Sequence, residues 1–160
     1  MLIDTPNYPE KFDFVDADCK AIVEYLYNTV NYTFSNTKQK LIKTYRAWND
    51  IEIPTVDYPV LKVYAESETV FENAPFLSTS FTIAYGLAYT TKPKVGDVSR
   101  FVTKELIRAL INAPLEEFMF QIDWRNQFNV QYETLISPGN VIYRYSTINC
   151  NIFTRMDLPE

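Results

Sequence analysis

The run LSTSFTIAYGLAY, Leu77 to Tyr89, decides the fold. Its odd positions are Leu77, Thr79, Phe81, Ile83, Tyr85, Leu87 and Tyr89, and its even positions are Ser78, Ser80, Thr82, Ala84, Gly86 and Ala88. Alternate side chains of a strand point to opposite faces, so a period this regular predicts one long strand with a bulky apolar face and a small one. The small face is either solvated or approached closely by another backbone, as at a subunit contact.

Outward from it, Pro93 and Gly96 punctuate, and Asp97 is placed to cap a helix by accepting orphan amide hydrogens. Val98, Phe101, Val102, Leu106, Ala109, Leu110 and Ala113 then fall on one side at helical spacing, with Arg100, Thr103, Lys104 and Arg108 off that stripe and Pro114 ending the run. Ile107 and Ile111, one turn apart beside Arg100 and Lys104, do not fit the stripe. They are either covered within the domain or form a patch for a neighbouring subunit.

Before this centre, an apolar stripe of Cys19, Ile22, Val23, Leu26 and Val30 predicts a first helix from about Asp16 or Asp18 to Asn31–Thr33. Lys40 to Trp48 reads as a strand, and so does Val60 to Ala65, after a loop bracketed by Pro54 and Pro59. Glu66 to Asn73 either prolongs that strand or forms an acidic loop. After the central helix, Phe118 to Trp124 and Phe128 to Ile136 alternate as strands, Ser137-Pro138-Gly139-Asn140 is a turn, and Val141 to Thr154 is a long final strand. In that strand the apolar set changes parity, from Val141, Tyr143 and Tyr145 to Ile148, Cys150 and Ile152. Either a bulge near Ser146-Thr147 or a strand leaving one sheet for another surface would do this.

The order predicts an α+β fold: a mixed, mostly antiparallel sheet with two main helices packed on one face. With 160 residues the chain forms a single domain, with residues 1–15 as an extended arm and 156–160 as a polar tail. Met1 to Phe14 lacks a basic segment followed by an apolar run, and no stretch approaches the roughly 20 apolar residues that span a bilayer. These features predict a soluble chain made in the cytoplasm, without a membrane partner. Cys19 and Cys150, far apart and on apolar faces, read as small buried hydrophobes in a reducing compartment.

Composition bears on function. The net charge of −5 argues against a nucleic-acid-binding domain, which carries a basic patch. The 12 Tyr and 11 Phe fit either half-exposed sheet faces or protein–protein contacts. There is no His, so the commonest general base and metal ligand are missing; there is also no CxxC pair and no phosphate-cradling glycine motif. Asp16 with Asp18 reads as a helix start and Glu116 with Glu117 as a solvated turn. These features predict a non-enzyme without metal or cofactor. A small-ligand or peptide-binding module, with Phe118, Phe120, Trp124, Phe128 and Tyr132 as its pocket, is a competing reading.

The leading helix, the segment Tyr58-Pro59-Val60-Leu61-Lys62-Val63-Tyr64, the long small/large strand Ser78 to Thr90, the helix Val98 to Asn112 and the closing strands together resemble the tail terminator (tail completion) proteins of tailed bacteriophages. The resemblance rests on element order and length. It implies a structural virion protein, assembled in the host cytoplasm, whose hexameric ring caps the tail tube at the tail–neck junction and meets the neck. An adjacent neck or head–tail connector role is the alternative. A ring closing by rotation needs two different patches per subunit. Arg100, Lys104, Ile107 and Ile111 are candidates for one, and Ser80, Thr82 and Ala84 for the other. Six copies carry a charge of about −30, which would let DNA pass without specific binding, and Glu66, Glu68 and Glu72 are candidates for a lumen-lining or ring-edge strip.

Overall fold

The computed structural model describes residues 14–36, 40–48, 52–70, 76–89, 95–113, 120–122, 128–137 and 139–155. In chain order they form α1 (Phe14–Thr33), β1 (Thr44–Arg46), a 3₁₀ turn (Thr55–Asp57), β2 (Val60–Val70), β3 (Phe76–Tyr89), α2 (Val95–Ile111), β4 (Phe120–Ile122), β5 (Asn129–Ile136) and β6 (Ile142–Arg155). The fold is α+β. One sheet runs β1-β2-β3-β6-β4, and β5 also pairs with β6. Among the described strands only β1 and β2 are parallel. Both helices pack on the same face, α1 against β1 and β2, and α2 against β3 and β6.

The long alternating strand is the axis of this sheet. Phe81, Ile83 and Tyr85 of β3 are buried among Cys19, Ile22, Val23 and Leu26 of α1, Leu61 and Val63 of β2, Val102 and Leu106 of α2, and Ile148 and Cys150 of β6. Tyr85 also donates its hydroxyl hydrogen to the Leu41 carbonyl at 2.8 Å. Both cysteines are buried and unbridged.

β1 is shorter than the Lys40–Trp48 alternation predicts. Only Thr44–Arg46 finds a strand partner, opposite Val60–Lys62. The residues before it are held differently: the Asn31 side chain donates to the Ile42 carbonyl at 2.9 Å and accepts from the Ile42 amide at 3.1 Å. The connection back to β2 is pinned to β1 by Lys43 N–H to the Pro59 carbonyl (2.7 Å), Thr44 Oγ1 to the Asp57 carbonyl (2.7 Å) and the Arg46–Asp57 ion pair (3.0 Å).

β2 continues through the acidic segment as far as Val70, with a register shift between Ala65 and Ser67. The irregularity of the sheet is here, at Glu66. β3 and β6 pair without a break from Phe76↔Arg155 to Tyr89↔Ile142. No bulge therefore underlies the parity change at Ser146-Thr147. The strand keeps its parity, and its Tyr143 and Tyr145 simply occupy the face away from the helices. The β5–β6 turn closes with Ser137 N–H to Val141 O (2.9 Å), and its left-handed residue is Asn140 (φ 62°), a residue type that tolerates this conformation, rather than Gly139.

α2 is rotated relative to its predicted stripe. It starts at Val95, which puts Asp97 inside the first turn. Val102, Leu106, Ala109 and Leu110 are buried as expected, but Ser99 and Thr103 are buried with them. Thr103 Oγ1 satisfies itself on the Ser99 carbonyl (2.6 Å) and the Ser146 hydroxyl (2.7 Å), which makes a polar residue acceptable against the sheet. Val98 and Phe101 turn outward, Phe101 meeting Phe34 edge-on at 5.1 Å. Of the predicted arm, Phe14 and Val15 belong to α1; residues 1–13 and the tail 156–160 lie outside the described residues.

Candidate functional site

The helix-free face of the sheet is paved by its own tyrosines at one end. Parity puts Gly86 of β3 there, directly opposite Val60 on one side and Tyr145 on the other. A Cβ on Gly86 would stand 2.8 Å from Tyr145 Cε1 and 2.9 Å from Tyr58 Cε1, so the glycine is what lets both rings lie on the strand. The Tyr58 and Tyr145 hydroxyls hydrogen-bond to each other. Tyr143, two residues along, meets the Tyr58 ring at 5.2 Å, and its hydroxyl bonds Thr55 Oγ1 at 3.0 Å. Burial, reinforced by the Tyr145 hydrogen bond, pushes the Tyr58 phenol far above its ordinary range, so it is a neutral partner at any physiological pH. Beside this group the Lys62 ammonium is 5.7 Å from the Tyr145 ring centre and 6.0 Å from that of Tyr64.

These rings open onto a shallow pocket of about 520 Å³ lined by Tyr58, Tyr143 and Tyr145 together with Glu52, Ile53, Pro54 and Leu135. Glu52 is the charged residue among them. Glu133, exposed and cross-strand from Tyr145, adds a second carboxylate on the same face.

On the opposite side of the sheet layer, the outer surface of α2 presents Arg100, Lys104 and Ile111, all exposed, with Ile111 at 54%. Phe101 is 43% exposed. Arg108 is paired with Glu105 at 2.9 Å. Ile107 differs from Ile111: it is half-buried and packs against the core.

The predicted site residues separate accordingly. Arg100, Lys104 and Ile111 share an open face. Thr82 and Ala84 are buried within the chain itself, each 3% exposed, and offer almost no surface to a neighbour; Thr82 Oγ1 bonds Asn149 Oδ1 at 2.9 Å. Ser80 is half-buried. At Gly86 the missing side chain is explained by covering rings of the same chain, those of Tyr58 and Tyr145. Glu66 is exposed at the β2 irregularity, and the backbone of Glu68 pairs with Thr79. Glu72 lies outside the described residues.

The aromatic pocket expected from Phe118, Phe120, Trp124, Phe128 and Tyr132 is not where the described aromatics converge. Phe128 packs on the core, and the Tyr132 ring carries the Arg144 guanidinium at 5.0 Å. Phe118 and Trp124 lie outside the described residues. The signal for the observed pocket was the parity of Tyr143 and Tyr145 against Ile148 and Cys150. Among the described residues no group of three or more His, Cys, Asp or Glu could hold a metal ion, and no helix is long and apolar enough to cross a membrane.

Comparison with protein-family models finds no match, and comparison with curated proteins finds none. Among solved structures, one from Akkermansia muciniphila, described as being without its transmembrane region, is similar at 11% identity over 63% of this chain and 46% of its own, with a TM-score of 0.28. This chain therefore spans less than half the length of that one, and at that TM-score the likeness carries no argument about fold or function.

Proposed function

We propose that the chain is a structural, ring-forming subunit of a tailed-phage particle, a tail terminator that caps the tail tube and presents a docking face to the neck. The observation that supports this reading best is the pair of chemically unlike exposed faces on opposite sides of one sheet: the basic and apolar outer surface of α2, and the aromatic and acidic pocket beside β5. A subunit that joins head-to-tail around a rotation axis needs two such faces. The net charge of −5 per chain also suits a conduit through which DNA moves without specific binding. On this reading the partners are copies of itself, the tail tube protein and neck proteins, and the place of action is the tail–neck junction of the virion.

The test is electron microscopy of purified tail tubes incubated with the chain. Rings seated at tube ends, and tubes that no longer elongate, are the expected result. Bare tube ends, with growth unaffected, would end the terminator reading. Rings that ignore tubes but bind neck components would move the chain to the adjacent connector role.

The tyrosine pocket favours a second reading, a small-ligand or peptide-binding module, because three ring systems and a carboxylate converge on one depression. A thermal shift produced by short aromatic or cationic peptides on a chain that stays monomeric would favour that module instead.

A further inference from the structure

The two unlike faces carry an inference about what fills the pocket, and it rests on the ring reading above. The pocket face is acidic, with Glu52 lining the depression and Glu133 exposed beside it, and its walls are apolar and aromatic, with Leu135 and Tyr143 partly open. The outer face of α2 is the complement: Arg100 and Lys104 are exposed one turn apart, and Ile111 follows on the same side of the helix. A cation is attracted both to a carboxylate and to the face of a tyrosine ring, and an exposed isoleucine gains by leaving water for an apolar wall. Within one chain the two faces cannot meet, because α2 packs on one side of the sheet while Tyr58, Tyr143 and Tyr145 lie on the other.

We propose that the tyrosine pocket of one copy receives the Arg100–Lys104–Ile111 face of the next copy. Arg100 and Lys104 sit against Glu52, Glu133 and the Tyr143 ring, and Ile111 covers Leu135. Charge complementarity selects a second copy as the occupant, since each chain carries both halves of the contact. The contact is heterologous, so repetition about a rotation axis that closes gives a ring with no free pocket.

Two double variants test it, each made only of exposed residues so that the fold is left alone: Arg100→Glu with Lys104→Glu, and Glu52→Lys with Glu133→Lys. Light scattering on the full chain reads the mass, and thermal melting checks folding. The wild type is expected to assemble, and each variant alone to weaken self-association about 100-fold or more through like charges brought together. Mixing the two variants restores the wild-type mass, because every contact in the mixture is again complementary. Two variants that assemble like the wild type, or two dissociated variants that do not recover on mixing, overturn the pocket contact while leaving the ring reading standing. A wild type that is monomeric at every concentration and at tube ends removes the ring reading, and the contact with it.

Discussion

The Tyr58 and Tyr145 hydroxyls are hydrogen-bonded to each other across Gly86, joining the loop before β2 to the middle of the sheet. Both rings need the space that a side chain on residue 86 would take. Gly86→Ala should therefore displace them and cost about 1–3 kcal/mol of stability. Tyr145→Phe keeps the ring and loses the hydroxyl, costing about 1 kcal/mol. Denaturant melts read both. A Gly86→Ala chain as stable as the wild type would show that the rings do not rest on the strand.

Asn31 holds the chain between α1 and β1 with two hydrogen bonds to the backbone of Ile42, whose side chain is fully buried. Asn31→Ala leaves a buried amide and carbonyl without those partners. The expected loss is about 1–3 kcal/mol. Asn31→Asp should fall in the same direction, since a carboxylate cannot donate to the Ile42 carbonyl. Chemical denaturation measures both.

Ile107 and Ile111 were paired in the sequence by their spacing, but they should behave differently. Ile111→Asp falls on an exposed position and should leave the melting temperature nearly unchanged while reducing self-association. Ile107→Asp puts a charge against the core and should destabilise by about 2 kcal/mol or more. Melting and light scattering together separate the two effects.

Burial pushes the Cys150 thiol up to about 12 and raises the Tyr85 phenol as well, each held neutral by loss of water around its charged form. The folded chain then binds more protons than the unfolded chain above the ordinary thiol value of about 9. The stability this contributes is fully present below that pH and is lost as pH rises towards 12. Urea midpoints should be flat through neutral pH and fall progressively above about pH 9. The native thiols should also react slowly with a disulfide reagent at pH 8, and quickly in denaturant.

Much of the architecture was legible because it is local. The alternation in β3 and the helical spacing in α1 each specify an element and a buried face, and the structure places those elements as read. What was not legible is long-range. The small face of β3 looked available at Gly86 because the residues covering it there come from far along the chain: Tyr58 from the loop before β2, and Tyr145 from β6. The tyrosine parity in β6 was visible, but without knowing which loop lies over that face it read as a bulge or as a strand leaving the sheet for another surface. Thr103 was placed outside the buried stripe because its type is polar, and its bonds to the Ser99 carbonyl and to the hydroxyl of Ser146, across the sheet contact, make its burial favourable. The pocket was invisible for the same reason, since its lining joins residues 52–58 to residues 135–145.

The claim on which the account depends is that this subunit closes on itself head-to-tail. Single-particle imaging of the purified chain, alone and on tail tubes, tests it most directly. The account predicts a closed ring of six copies in which the α2 face of each subunit meets the tyrosine pocket of the next. Isolated subunits under both conditions, or twofold pairs joined through identical faces, would contradict it.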